Sequence, residues 1–175
     1  MNPRTSSEEK VAMVDALLLE LEQEAQTTRR VLERVPNDQL GWRPHEKART
    51  LGELSWHVAT VPGNIAELAV ESTSQVKNVP EFSPVHASEL VSALDQSVSK
   101  AKRVLHGMDD ATLNSPWRLM HGEREILMMP RGALLRTVML NHWYHHRGQL
   151  STYLRALGQP VPSIYGPSAD ENPFM

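Results

Sequence analysis

Residues 131–157 read RGALLRTVMLNHWYHHRGQLSTYLRAL, and this stretch sets the architecture. Pro130 suits the first turn of a helix. Gly158 and Pro160 stop it. Between them, apolar side chains recur at helical spacing on two stripes. One holds Leu140, Trp143, Leu150, Leu154 and Leu157, interrupted by Arg147. The other holds Leu135, Val138, Met139, His142, His146, Gln149 and Tyr153. A helix with two apolar stripes has more face than one neighbour covers. The second stripe therefore suggests either a partner surface or a seat for the C-terminal tail, and a homodimer is expected.

Working outward, residues 7–35 carry Val11, Val14, Leu18, Leu21, Ala25, Thr28, Leu32 and Val35 at alternating spacings of three and four. That is the face of a packed helix, with Ser6 or Ser7 to cap it and Pro36-Asn37-Asp38 to end it. A polar connector, 36–49, leads to Thr50-Leu51-Gly52-Glu53, a capping-box pattern. Leu51, Leu54, Val58, Val61, Ile65 and Leu68 form the stripe of the second helix. Pro62-Gly63 falls inside it and predicts a kink or break. Residues 72–87, with Pro80 and Pro84, read as loop. Residues 88–107 predict a third helix through Leu90, Val91, Leu94, Val98, Ala101, Val104 and Leu105. Residues 109–129 read either as two short extended pieces around His121-Gly122 or as irregular chain. The pattern as a whole predicts an all-α fold, a four-helix bundle with long connections, in one domain spanning 1–175.

Composition narrows the function. The formal net charge is −3 and there is no Lys/Arg cluster, which argues against a nucleic-acid partner. No apolar run approaches the roughly 20 residues of a membrane span, and the N-terminal residues lack a signal-peptide pattern. A cytoplasmic protein without membrane contact is expected. The chain has no cysteine, so a transition-metal site would be built from His, Asp, Glu and water.

Imidazoles on an apolar stripe need partners once buried. His142 and His146 are four residues apart, so they stack on one helix face and can chelate one ion. The glutamate of an HExxH site is missing. His145 lies about 100° around the helix from His146 and does not share its face. His57, beside the Leu54/Val58 stripe of the second helix, is the third candidate, since bundles build metal sites from facing helices. Three histidines would leave a coordination position open, as catalytic sites do. Glu53 and Gln149, each one turn from a candidate ligand, are candidate acceptors for the outer ring N–H groups. The competing reading is three neutral, hydrogen-bonded core histidines. His45, His86, His106 and His121 read as surface, and Trp56 and Trp143 as core.

Two blocks, WRPHEKARTLGELSWH at 42–57 and RGALLRTVMLNHWYHHRGQLSTYLRALGQPVPSIYGPSADE at 131–171, resemble the DinB-like superfamily of metal-binding four-helix bundles. The HHRGQL segment and the PVPSIYGPSADE tail are the most specific parts. The resemblance implies a homodimer and a divalent metal, zinc or nickel, held by His57, His142 and His146. It implies that His145 is an extra histidine outside the ligand set. Relatives include transferases and isomerases that use a low-molecular-weight thiol. The expected function is a metal-dependent enzyme on a small-molecule substrate, a thiol-dependent transferase or a hydrolase. Glu53 and Tyr165 are the candidate acid/base groups. A non-catalytic metal- or ligand-binding stress-response module is the alternative, and a metal-free structural bundle the third reading.

Overall fold

The structure, a computed structural model, describes residues 6–76 and 82–175, with side chains described from residue 13 onward in the first of these stretches. The expected caps Ser6 and Ser7, the stripe residue Val11 and the loop residue Pro80 lie outside those limits. Helix α1 spans Ser6–Leu32. Its expected face is buried from Val14 to Val35, with Ala25 partly so. Pro36 then opens a short 3-10 turn, Asn37–Gln39.

Helix α2 spans Leu51–Leu68 behind the expected capping box. The Thr50 hydroxyl accepts the Glu53 N–H at 3.2 Å, and the Glu53 carboxylate accepts the Thr50 N–H at 2.7 Å. The chain forms strand β1 at Thr73–Gln75, helix α3 at Glu89–His106 and a short helix α4 at Asp110–Asn114. Strands β2, Pro116–His121, and β3, Arg124–Pro130, make a hairpin. Gly122 alone of its two loop residues has positive φ, at 61°, as in a II′ turn with glycine first. The last helical stretch is continuous: α5 at Arg131–Leu134, π-helical turns at Leu135–Asn141 and α6 at His142–Ala156.

The fold is mostly helical, and the all-α expectation is corrected by a three-stranded sheet of order β1-β2-β3. The expected extended pieces pair antiparallel, and β1 adds in parallel through Thr73↔Arg118 and Gln75↔Met120. Three residues of β1, none of them hydrophobic, carry no strand signal of their own. The Val76 N–H, just past the strand, donates to Met120 at 2.7 Å, and the Arg118 N–H to Ser72 at 2.9 Å, so backbone bonding holds it.

The predicted break at Pro62 does not occur. Proline has no N–H for the carbonyl four residues back, which leaves Val58 without its helical donor. The Trp143 indole N–H takes that place, 2.7 Å from the Val58 oxygen, in a buried setting. Gly63 then gives its N–H to the Ser97 hydroxyl of α3 at 2.8 Å, and Ser97 donates to the Thr60 carbonyl at 3.1 Å. A Cβ on Gly63 would stand 2.8 Å from the Ser97 carbonyl oxygen, so glycine lets the backbones of α2 and α3 approach each other closely. The end of α2 is closed from the hairpin and from α5. Trp117 donates to the Leu68 carbonyl at 2.9 Å and Arg131 to the Ala69 carbonyl at 2.8 Å. These are carbonyls that a helix end leaves unpaired.

Most of the first stripe of the last helix, and part of the second, turn inward. Leu135, Met139, Leu140, Trp143, Leu150 and Leu154 are fully buried in one apolar cluster shared with α1, α2 and α3. Of the second stripe, Leu135, Met139 and His146 are buried, Val138, His142 and Tyr153 are half-buried, and Gln149 is exposed.

Two substitutions test this packing. Trp143→Phe leaves the Val58 carbonyl buried and unpaired, and should cost about 1–3 kcal/mol of stability in denaturant unfolding. Gly63→Ala should cost about the same through overpacking against Ser97. Wild-type stability in both would contradict the roles assigned here.

Candidate metal centre

The capping box starts α2 so that His57 falls one turn after Glu53. The indole of Trp143 on the Val58 carbonyl then aligns α6 with α2. His57 precedes Val58 and His142 precedes Trp143, so the bond between the second members brings the first together. His57 Nε2 lies 3.0 Å from His142 Nε2. His146, one turn on, places its ring centroid 4.5 Å from that of His57 and 4.4 Å from that of His142. One ring nitrogen from each of the three lies within 4.8 Å of the others. All three sequence candidates thus converge.

His146 is buried and is oriented by Gln149, whose Oε1 stands 2.7 Å from Nδ1. An Nδ1–H given to that amide oxygen leaves the Nε2 lone pair facing the other rings. Gln149 therefore occupies the supporting position expected of it. Glu53 does not, because its carboxylate closes the capping box on Thr50. His145 is exposed and stays out of the cluster, and His45, His86, His106 and His121 are exposed as expected. Tyr165 is also elsewhere. Its hydroxyl donates to Glu24 at 3.0 Å and accepts from Arg147 at 2.6 Å, on the far side of α6 from His142.

Burial pushes the His146 imidazolium down to about 4. The charges of His142, Arg49 and His145 add to this, and the Gln149 hydrogen bond opposes it. Burial likewise lowers His142, helped by His145 and Arg49. Both rings are neutral at pH 7, the form that binds metal.

The donor set fits a divalent ion. Metal–nitrogen bonds of about 2.0–2.1 Å put two ligand nitrogens about 2.9 Å apart at a right angle and about 3.4 Å apart in a tetrahedron. The 3.0 Å separation of His57 and His142 falls in that range. Without an ion, the two facing nitrogens can share one proton between them, and the third ring has no place in that bond.

A cleft of about 300 Å³ opens beside His57 and His142. The sequence did not single out Arg49, Thr60, Asn64 and Phe82 of its lining. Thr60 and Asn64 follow His57 at i+3 and i+7, so a polar stripe on an otherwise apolar helix was a readable signal. Arg49 and Phe82 come from loops and had none. Trp56, expected in the core, is partly exposed and packs on Phe82 with ring centroids 4.5 Å apart. Trp143 is in the core as expected.

The family model described as DinB family matches residues 7–173. The chain belongs to the DinB family. YrdA of Bacillus subtilis (strain 168) is 29% identical over 161 residues, covering 90% of this chain and 91% of that protein. The fold is shared with solved DinB-like proteins. One from Bacillus cereus ATCC 10987 has a TM-score of 0.65 at 23% identity, over 86% of this chain and 97% of that one. Another, from Bacillus subtilis, has a TM-score of 0.64 at 18% identity, over 85% and 96% of the two chains. Among the described residues, no helix is long and apolar enough to cross a membrane.

The lowered imidazoles have a stability consequence. Between the unfolded value of about 6.5 and the folded value of about 4 for His146, the unfolded chain binds more protons. Stability then rises with pH across that window. Metal-free protein should be at full stability above about pH 6.5 and lose it progressively toward pH 4. His146→Gln should flatten this slope in urea unfolding at several pH values. An equal slope in the variant would contradict burial of a neutral ring.

Proposed function

We propose that His57, His142 and His146 hold one divalent metal, zinc or nickel, and that the protein is a metal-dependent enzyme acting on a small molecule in the cytoplasm. The observation that carries this reading is the convergence of three imidazole nitrogens beside an open cleft. Three protein ligands leave room for a further group. When bound, such an ion lowers the pKa of a water or thiol toward neutrality. The chain's own contributions are positional. Gln149 fixes the His146 ring. Burial favours the unprotonated form of His142 and His146. Trp56, Val61, Ile65 and Phe82 line one wall of the cleft with apolar surface.

The frame is read as a four-helix bundle in one domain, with α5 to α6 as its fourth member. A thiol-dependent transferase and a hydrolase remain the two reaction classes, separated by whether added low-molecular-weight thiol is required. A passive metal-binding module is the second reading, and one observation favours it: neither acid/base candidate is available. Glu53 is engaged at the helix start and Tyr165 serves the Arg147–Glu24 pair.

Elemental mass spectrometry on untagged protein should find about one metal per chain. His57→Ala should lose it. Gln149→Leu should weaken affinity by about 10–100-fold, as loss of a supporting hydrogen bond does. Metal-free wild type after reconstitution would sink the proposal. Turnover on thiol and ester panels by the loaded protein would exclude the passive reading.

A homodimer is also proposed. Its support is the open edge of β3, where Ile126, Leu127 and Met128 are all exposed, since an apolar edge strand invites pairing. Sedimentation should give a dimer at micromolar concentration; a monomer would contradict it.

A further inference from the structure

The cleft beside the histidines follows α2, and its lining changes character along the helix. His57, Val61, Ile65 and Leu68 fall at i, i+4, i+8 and i+11, so they form one ridge. Trp56, Thr60 and Asn64 form the row beside it at the same spacing. The charged lining residues, Arg49 and Glu53, both precede His57, at the start of α2. Past His57, no charged side chain lines the cleft among the described residues. The ridge that begins at a candidate ligand therefore ends in apolar surface about 16 Å along the helix.

That apolar end is open. Leu68 is 39% exposed and Ile65 is half-buried. Phe82 is 50% exposed and packs on Trp56 at the flank of the cleft. Apolar surface left open to water is stabilised by whatever covers it. Here it shares one cleft with His57 and His142, so an occupant can touch the ion at one end and the ridge along its length. A volume of about 300 Å³ spread along two to three helical turns makes a narrow groove rather than a round chamber.

We propose that the substrate is a straight-chain aliphatic compound with its reacting group at the ion and its chain laid along Val61, Ile65 and Leu68. The proposal rests on the metal reading above. The chain supplies binding energy remote from the reacting group and seats that group at the ion. Chain length is then the property by which the cleft selects.

The test uses full-length protein loaded with cobalt(II), with metal content measured on the same sample. Acetate, butyrate, hexanoate and octanoate are titrated against it and followed by visible absorption, which reads the carboxylate at the ion. The headgroup is constant through the series, so differences in affinity belong to the chain. Affinity should rise about two- to fourfold for each added methylene. Leu68 gives only its backbone carbonyl to Trp117 and its side chain is partly exposed, so Leu68→Gln leaves those contacts in place. That variant should keep its metal and its acetate affinity and lose about tenfold of octanoate affinity.

A metal-loaded wild type that binds the four acids alike, or none of them, overturns the proposal and leaves the metal reading standing. So does an octanoate preference that Leu68→Gln leaves unchanged, since the chain then lies elsewhere. Should Leu68→Gln fail to fold, the wild-type series decides. A wild type that takes up no metal overturns the metal reading and this proposal together.

Discussion

The indole N–H of Trp143 lies 2.7 Å from the carbonyl of Val58, and the site depends on that bond. Pro62 creates the vacancy by removing the donor that Val58 would have had within α2. A buried carbonyl without a partner is costly, so the indole is drawn to one defined position along the helix. That position fixes the register of α6 against α2. His57 and His142 are the preceding neighbours of the two bonded residues, and their ring nitrogens meet as a result. Proline, elsewhere a helix breaker, here makes the acceptor that locks two helices together.

The other side of α6 is held by a different device. Arg147 is 2% exposed and pairs with Glu24 of α1 at 2.5 Å, with Thr28 at 3.1 Å and with the Tyr165 hydroxyl at 2.6 Å. A buried pair of this kind is maintained only when its remaining donors and acceptors are filled. Tyr165 does this from the C-terminal tail, with its ring and that of Tyr144 each 5.2 Å from the guanidinium. The tail is tied down in turn. Glu171 pairs with Arg30 of α1 and with Arg34 just past its end, and accepts the Ser163 N–H. Asp170 pairs with Arg155 and accepts the Val161 N–H. The Arg of HHRGQL and the tail PVPSIYGPSADE thus belong to one network. It holds α6 to α1 while the Trp143 bond holds it to α2.

Much of this was legible in the sequence, because helices announce themselves by spacing. The four long helices, the Thr50 capping box and the three converging histidines follow from period and chemistry. Gln149 was legible too, one turn from His146. The misses have separate physical causes. The parallel strand at 73–75 is held by backbone bonds to β2, which leave no side-chain pattern. The fate of Pro62 depends on a tryptophan 81 positions later. The π-helical turns at 135–141 leave no signal in a 3.6-residue period, and they rotate the rest of the helix relative to an unbroken α-helix. Glu53 and Tyr165 were candidates by proximity or residue type, and each already has a structural partner. Arg49 and Phe82 reach the cleft from loops, where no period exists to read.

Burial, register and the Gln149 hydrogen bond all lead to one claim: three imidazoles, from α2 and α6, meet on one ion. X-ray absorption at the metal edge of zinc- or nickel-loaded protein tests it most directly. The account predicts about three imidazole rings in the scattering pattern, with metal–nitrogen distances of about 2.0–2.1 Å for zinc. A first shell of oxygen alone, or a single imidazole, would show that the ion sits elsewhere and would contradict the account.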